Sequence, residues 1–382
     1  MYEFYEFFAG GGMVRAGLGP EWRCLFANDF DRKKSRVYCD NWGESELKTA
    51  DVGSLTTKDI PGQADLAWAS FPCQDLSLAG AGAGLKGERS GTFWPFWSLM
   101  KGLANENRAP RLIALENVCG TLTSHGGKDF ATICDALALG GYRFGALVID
   151  AVRFVPQSRP RLFIIGARPE VMIPEDALAE VPTELWHSPA LIEAHTKLSA
   201  RGRAHWLWWN LPQPHGRVAK FADVIDDEPS GVEWHTREQT DYVLSLMSPR
   251  NTQKVQKAKK LGRSVVGAVY RRTRKNEDGD KTQRAEVRFD DVAGCLRTPR
   301  GGSSRQTILV IEGRRVRSRL LSPREAARLM GLPDNYKLPD NYNSAYHVVG
   351  DGVVVPVVRY VSRYILEGVL VNAAPALATT AA

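Results

Sequence analysis

Short apolar runs and stretches of helical periodicity alternate through the first 170 residues, and few folds accept that rhythm. Candidate strands lie at 3–8, 24–27, 64–69, 112–116, 144–149 and 161–165, with helical periodicity at 32–41, 94–105 and 130–139 between them. Strands separated by helices predict a parallel sheet with helices packed on its faces. The fold expected is therefore α/β, a Rossmann-like, doubly wound, mostly parallel sheet. Such a sheet binds ligands just beyond the carboxyl ends of its strands, so the residues following each apolar run are those to read for chemistry.

The character changes near residue 171. Pro174, Pro182 and Pro189 punctuate a loop-rich stretch that holds Trp186, Trp206, Trp208, Trp209 and Trp234, read here as the small core of an inserted domain. Charge is also uneven along the chain. The net charge is +7, but residues 250–319 hold 20 Lys/Arg against 7 Asp/Glu, whereas residues 1–249 hold 25 against 31. An acidic body with one strongly basic segment points to a polyanionic partner, most simply nucleic acid. Order returns near 318, where Ser322-Pro-Arg-Glu325 reads as a capping box opening a helix that Gly331 and Pro333 stop. A last helix is predicted over 354–369. The expected organisation is a domain at 1–170, a smaller loop-rich domain at 171–317, a return at 318–372 and a disordered small-residue tail at 373–382.

Several classes are set aside. No apolar run approaches the ~18 residues of a membrane span. The first residues are acidic where a secretory signal is basic. Six cysteines without CxxC pairing, and seven scattered histidines, suggest neither a disulfide framework nor a metal site. The expectation is a metal-free monomer in a reducing cytoplasm.

Glu6-Phe-Phe-Ala-Gly-Gly-Gly12 follows the first strand, and its glycines let backbone approach a ligand closely. Asp29 after the next strand suits ribose hydroxyls, and Asp51-Val52 suits an adenine amino group. A glycine turn with two spaced acids is a nucleoside-binding pattern, compatible with NAD or with S-adenosyl-L-methionine. Cys73, in Ser70-Phe-Pro-Cys-Gln74, follows the strand at 64–69 and reads as a nucleophile beside that nucleoside. Glu116 leaves a buried strand, where a raised pKa would let it share a proton, unless a nearby arginine pairs with it. Gln157-Ser-Arg-Pro-Arg161 supplies two guanidinium forks.

These segments, in this order, closely resemble the cytosine-C5 DNA methyltransferase family. The resemblance covers 4–166 and 318–366 and rests on Phe8-Ala-Gly-Gly-Gly12, Asn28-Asp29, Asp51-Val52, Phe71-Pro-Cys-Gln74, Arg89-Ser90 with Phe93, Glu116-Asn-Val118 and Gln157-x-Arg-x-Arg161. Leu321-Ser-Pro-Arg-Glu325, Leu329-Met-Gly-Leu-Pro333 and Gly350-Asp-Gly-Val353 complete it. It implies catalysis by Cys73, Glu116, Arg159 and Arg161. It implies S-adenosyl-L-methionine held by Phe8, Gly10, Gly12, Asp29, Phe30, Asp51, Val52, Pro72, Phe93, Asp351, Gly352 and Val353. Gln74, Ser77, Asn117 and Gln157 are implied at the double-stranded DNA substrate, a glycine-rich loop at 79–92 would close over a flipped cytosine, and 171–317 would be the target-recognition domain.

Three positions depart from the pattern: Met13 where a further glycine is common, Ser70 where glycine often precedes Phe-Pro-Cys, and Asp351-Gly352 in place of Asn and a small residue. The resemblance also implies action in the bacterial cytoplasm or nucleoid, as in restriction-modification. A tRNA cytosine-C5 methyltransferase and a catalytically idle DNA-binding regulator are the alternatives. The long basic segment argues against the first, and the intact Pro-Cys-Gln, Glu-Asn-Val and Gln-x-Arg-x-Arg sets argue against the second.

Overall fold

The computed structural model describes residues 1–71, 93–217, 219–275, 280–297 and 305–371. The chain forms two compact units. One comprises Met1–Ile149, Pro160–Gln213 and Val357–Ala382, the other Asp150–Arg159 and Pro214–Pro356. This partition differs from the expected one in three places: residues 171–213 belong to the first unit, and residues 150–159 and 318–356 to the second.

In the first unit, among the described residues, β1 (Tyr2–Phe7), β2 (Trp22–Asp29), β3 (Leu47–Thr49), β4 (Leu66–Ala69), β5 (Leu112–Val118), β6 (Arg143–Asp150) and β7 (Pro160–Ala167) form one sheet. Its order is β3-β2-β1-β4-β5-β7-β6. β1 pairs in parallel with both β2 and β4, β4 in parallel with β5, and only at β7 does an antiparallel strand join β5. The mostly parallel α/β sheet is thus present. β4 is buried along its whole length, which explains why its sequence is continuously apolar instead of alternating.

Helices α1 (Met13–Leu18), α2 (Arg32–Trp42), α3 (Phe93–Asn105), α4 (Lys128–Leu139), α5 (Pro189–Thr196) and α6 (Ala200–Ala204) belong to the same unit. One face of the sheet, through Tyr5, Phe7, Ala67, Ile113 and Leu115, buries Phe96 and Met100 of α3 and Phe130 and Ile133 of α4. β8 (Leu178–Ala179) and β9 (Trp208–Trp209) pair separately as an antiparallel ribbon of two residues each. The tryptophans read as the core of an inserted domain divide differently. Trp186 and Trp209 are fully buried in the first unit, their indole N–H groups donating to Leu211 O (2.7 Å) and Ile165 O (3.0 Å). A buried indole needs an acceptor for its one donor, and the carbonyl of β7 offers one.

In the second unit, α7 (Arg237–Ser245) and α8 (Pro249–Lys259) pack on an antiparallel sheet ordered β11-β10-β12-β13. Its strands are β10 (Ser264–Lys275), β11 (Lys281–Arg288), β12 (Thr307–Glu312) and β13 (Arg315–Leu320). Val243, Val255, Val269, Ala285 and Leu309 make this core. The capping box then starts α9 (Pro323–Leu329): Ser322 Oγ accepts from Glu325 N and Glu325 Oε2 from Ser322 N (2.7 Å). α10 (Tyr342–Asp351) follows. The chain re-enters the first unit along α11 (Val355–Val361), a π-helical turn at Ser362–Leu366 and α12 (Glu367–Val371). There Glu367 Oε1 receives Trp22 Nε1 (3.1 Å) and Ser362 Oγ (2.8 Å).

Inside the second unit, Arg319 and Glu325 are both fully buried and bonded twice, at 2.6 and 2.8 Å. Glu325 also accepts from Asp226 N (2.8 Å), so its lone pairs are used. Arg319→Met leaves that carboxylate buried without its counter-ion, and chemical denaturation should show a loss of about 3–5 kcal/mol. Gly12 has φ +77°, and an added Cβ would stand 2.4 Å from the Trp42 indole nitrogen. Gly12→Ala should cost about 1–3 kcal/mol by the same measurement, from left-handed backbone strain and displacement of Trp42.

Candidate functional site

The strand order reverses beside β1, where the chain leaves β3 and returns as β4 on β1's other edge. The carboxyl ends of β1, β2 and β4 therefore meet at a topological switch point, the place where open α/β sheets bind ligands. Phe8 leaves β1 in left-handed backbone (φ 59°), Gly10 follows at 56°, and Gly12 begins α1. No atom lies within 4 Å of where a Gly10 side chain would start, so open space adjoins the backbone there. Ala9 N donates to Asn28 O (2.9 Å), binding the turn to the end of β2.

Asp29 organises this edge. Its Oδ2 accepts from Gly10 N and its Oδ1 from Asp31 N, both at 2.8 Å. Burial raises its pKa, and Lys34 and the two amide bonds oppose the rise. Phe30, the next residue, is 63% exposed, a large aromatic face left in solvent at a strand end. Asp51 is exposed and caps a turn, accepting from Gly53 N (2.7 Å), while Val52 is buried. Phe93 is fully buried and stacks on Trp97, with centroids 6.2 Å apart; the exposed aromatic there is Trp94. Open backbone at Gly10, an acid beside it and an exposed ring fit a nucleoside-containing cofactor.

The ends of β4 and β5 are tied together. Asn117 Nδ2 donates to Phe71 O (3.4 Å), and Asn117 Oδ1 accepts from Val118 N (2.8 Å). Glu116, 7% exposed, faces Arg161 of β7, with Arg161 Nε 3.1 Å from Glu116 Oε1. Antiparallel β5–β7 pairing produces that contact, setting Glu116 opposite Phe163 and Val118 opposite Arg161. The arginine partner weighed for Glu116 is therefore Arg161. Pro72, Cys73, Gln74, Ser77 and the loop at 79–92 lie outside the described residues.

In the second unit, Gln157 is fully buried where a DNA contact was expected. Its amide donates to Leu329 O (2.8 Å) and Met330 Sδ and accepts from Leu296 N (3.1 Å), so its polar atoms serve the interior. Arg159, expected to be catalytic, is 2% exposed and donates to Leu296 O, Gly350 O and Gly352 O. Asp351 ends α10 with His347 Nε2 3.6 Å from its Oδ2, and Val353 is buried. No group of three His, Cys, Asp or Glu among the described residues is placed to hold a metal, and no described helix is long and apolar enough to cross a membrane.

Sequence reasoning passed over Glu6. It stands on β1 just before the glycine turn, fully buried, and neither carboxylate oxygen has a partner in hydrogen-bond geometry. The signal was present, a charged residue in an otherwise apolar strand. Burial pushes its pKa up to about 8, Asp29 adds to the rise, and Arg15 with the Val14 and Arg15 amides opposes it.

Comparison with known proteins identifies the class. The family model for C-5 cytosine-specific DNA methylases matches residues 2–367. The Type II methyltransferase M.NgoBI of Neisseria gonorrhoeae is 31% identical over 94% of this chain and 91% of its own length. M.HpaII of Haemophilus parainfluenzae is 26% identical over 96% and 89%. In three dimensions, Spodoptera frugiperda DNMT2 shares the fold at 16% identity, with a TM-score of 0.58 over 96% of this chain and all of its own. The chain belongs to the C-5 cytosine-specific DNA methylase family.

Glu6 also makes stability depend on pH. Its carboxyl holds a proton to a higher pH in the folded chain (about 8) than in the unfolded one (about 4.3), so the folded state binds more protons between those values. Stability must then fall as pH rises through that window and level off above it. Melting curves across it should show a smaller decline for Glu6→Gln than for the natural chain, with the variant the more stable at the alkaline end.

Proposed function

We propose that this enzyme methylates C5 of cytosine in a specific sequence of double-stranded DNA, with S-adenosyl-L-methionine as methyl donor and Cys73 as transient nucleophile. The observation that carries the reading is the Glu116–Arg161 pair at the end of β5, 3.1 Å apart. It is joined through Asn117 to Phe71, two residues before Cys73 in the chain. A carboxyl and a guanidinium beside a cysteine-bearing segment suit activation of a pyrimidine ring.

C5 of cytosine is a weak nucleophile within its aromatic ring. Addition of the Cys73 thiolate to C6 breaks the C5–C6 π bond and places electron density on C5, N3 and O2. Glu116 holds a proton or hydrogen bond at N3 and Arg161 donates at O2, stabilising that charge as it develops. The cofactor supplies, when bound, an electrophilic methyl group on a sulfonium sulfur. C5 would take the methyl group as its bond to the sulfonium sulfur breaks, leaving S-adenosyl-L-homocysteine; loss of the C5 proton to a base would then let the C5–C6 double bond re-form as the Cys73 sulfur leaves. Gly10, Gly12, Phe8, Asp29, Phe30, Asp51 and Val52 would orient the donor, with Pro72, Phe93 and, by the resemblance, Asp351, Gly352 and Val353. The target carbon is inaccessible in a stacked duplex, so the cytosine flips out at a cost of a few kcal/mol, about what unstacking requires. Gln74, Ser77 and the loop at 79–92 would meet the DNA and shield the flipped base.

Charge supports the duplex as substrate. The register of β10 and β11 sets Arg272 opposite Arg284, and like charges facing across a sheet are destabilising unless an anion offsets them. Glu286, 3.5 Å from Arg272, offsets part of that charge. Duplex phosphates would offset the rest, which supports a role for the second unit in gripping the DNA backbone. The proposed setting is a monomer acting on DNA in a bacterial cytoplasm.

Tritiated S-adenosyl-L-methionine should label duplex DNA, and bisulfite sequencing of that DNA should return one methylated motif; label confined to tRNA would reject the DNA reading. Cys73→Ser should abolish the covalent complex with 5-fluorocytosine DNA, and methylation that persists in it would remove Cys73 as nucleophile. Glu116→Gln should lower kcat by roughly 10²–10³-fold in single-turnover assays, the usual loss of one charge-stabilising contact.

A further inference from the structure

α10 ends on an acid, which is an electrostatically poor choice. The last turn of a helix exposes unpaired carbonyls and carries partial negative charge, so a carboxylate there is repelled. Asp351 occupies that position, where the family pattern has asparagine. The two carbonyls flanking it are not left to themselves. Arg159 Nη2 donates to Gly350 O and to Gly352 O, both at 2.8 Å, while Nη1 donates to Leu296 O (3.0 Å) and Cys295 Sγ (3.3 Å).

Arg159 is itself held from two sides. Its backbone N–H donates to Asp150 Oδ1 (2.7 Å), and Gln157, two residues earlier, bonds Leu329 O and Leu296 N. At 2% exposure the guanidinium has no surface left for a phosphate. Asp351, by contrast, keeps 30% of its side chain exposed, with His347 one turn back at 3.6 Å.

We propose that Arg159 is a positioning residue: it caps α10 through the Gly350 and Gly352 carbonyls, makes an acid tolerable at 351, and so fixes the Asp351–Gly352–Val353 turn. A planar fork of donors suits the task, since it reaches two carbonyls on one turn and a third on another segment at once. A lysine in its place carries the charge without that fork. The consequence for cofactor binding rests on the proposed role of residues 351–353, whereas the capping itself does not.

The test is a mutant cycle on the full-length protein, using R159K, R159M, D351N and the two double variants. Without cofactor, hydrogen exchange at the Gly352 and Val353 amides should accelerate in R159K and R159M and slow again when D351N is added. By calorimetry, S-adenosylhomocysteine should bind R159M roughly tenfold or more weakly, a loss of about 1.4 kcal/mol, once the two bonds to the turn are gone. D351N should recover part of that loss, and in turnover the penalty should fall on KM for the methyl donor more than on kcat. If R159M does not fold, R159K with and without D351N gives the same cycle.

Unchanged exchange in folded Arg159 variants would overturn the proposal. So would a kcat that collapses while cofactor affinity stays, because Arg159 would then act on the base. Natural protein that fails to bind S-adenosylhomocysteine would instead reject the cofactor reading, and the exchange data would still decide the cap.

Discussion

Parallel pairing of β1 on both of its edges is the constraint on which the first unit depends. It places Phe7 beside Asn28 on one side and Ala69 on the other, so three strand ends finish at one level. The glycine turn, Asp29 and the Ser70-Phe71 exit are neighbours for that reason, although 19 to 60 residues of chain separate them. Asp29 then converts proximity into a defined shape by accepting the Gly10 and Asp31 amides with separate oxygens. A turn with two left-handed glycines would otherwise retain much of its conformational freedom.

Guanidinium–oxygen contacts do comparable work elsewhere, and their differences are instructive. Arg161 and Glu116 meet at the end of a strand, each with some residual exposure, where a substrate can enter their field. Arg319 and Glu325 meet with none, which makes that pair a fixture of the second unit's interior. The Arg159 guanidinium makes its described bonds to backbone carbonyls and to the Cys295 sulfur, and organises turns in consequence. Three arginines with the same chemistry acquire three roles from burial and from the identity of the acceptor.

Most of the architecture was legible in the chain. Apolar runs located six strands of the main sheet, and the capping box located α9 because its two side chains satisfy backbone groups within four residues. β3 was missed: Leu47–Thr49 is short, largely exposed at the sheet edge and carries no apolar pattern. Four of the five tryptophans, at 186, 206, 208 and 209, fall in the first unit and only Trp234 in the second, because composition records how much aromatic surface must be buried and is silent on where. Gln157 and Arg159 stand in a motif with Arg161, and a motif does not reveal that two of its side chains turn into one unit's interior while the third faces Glu116 in the other.

The sequence by itself determined the family, the α/β alternation and the residue types available for chemistry, because motif order, periodicity and capping act over a few residues and survive reading in one dimension. Tertiary structure alone decided which side chains meet. Pairing Glu116 with Arg161, burying Glu6 within the main sheet and setting Arg159 on the carbonyls around Asp351 all depend on contacts between segments distant in the chain. Such contacts are settled by sheet register and by the demand that buried polar groups find acceptors, and neither is written in any local stretch of residues.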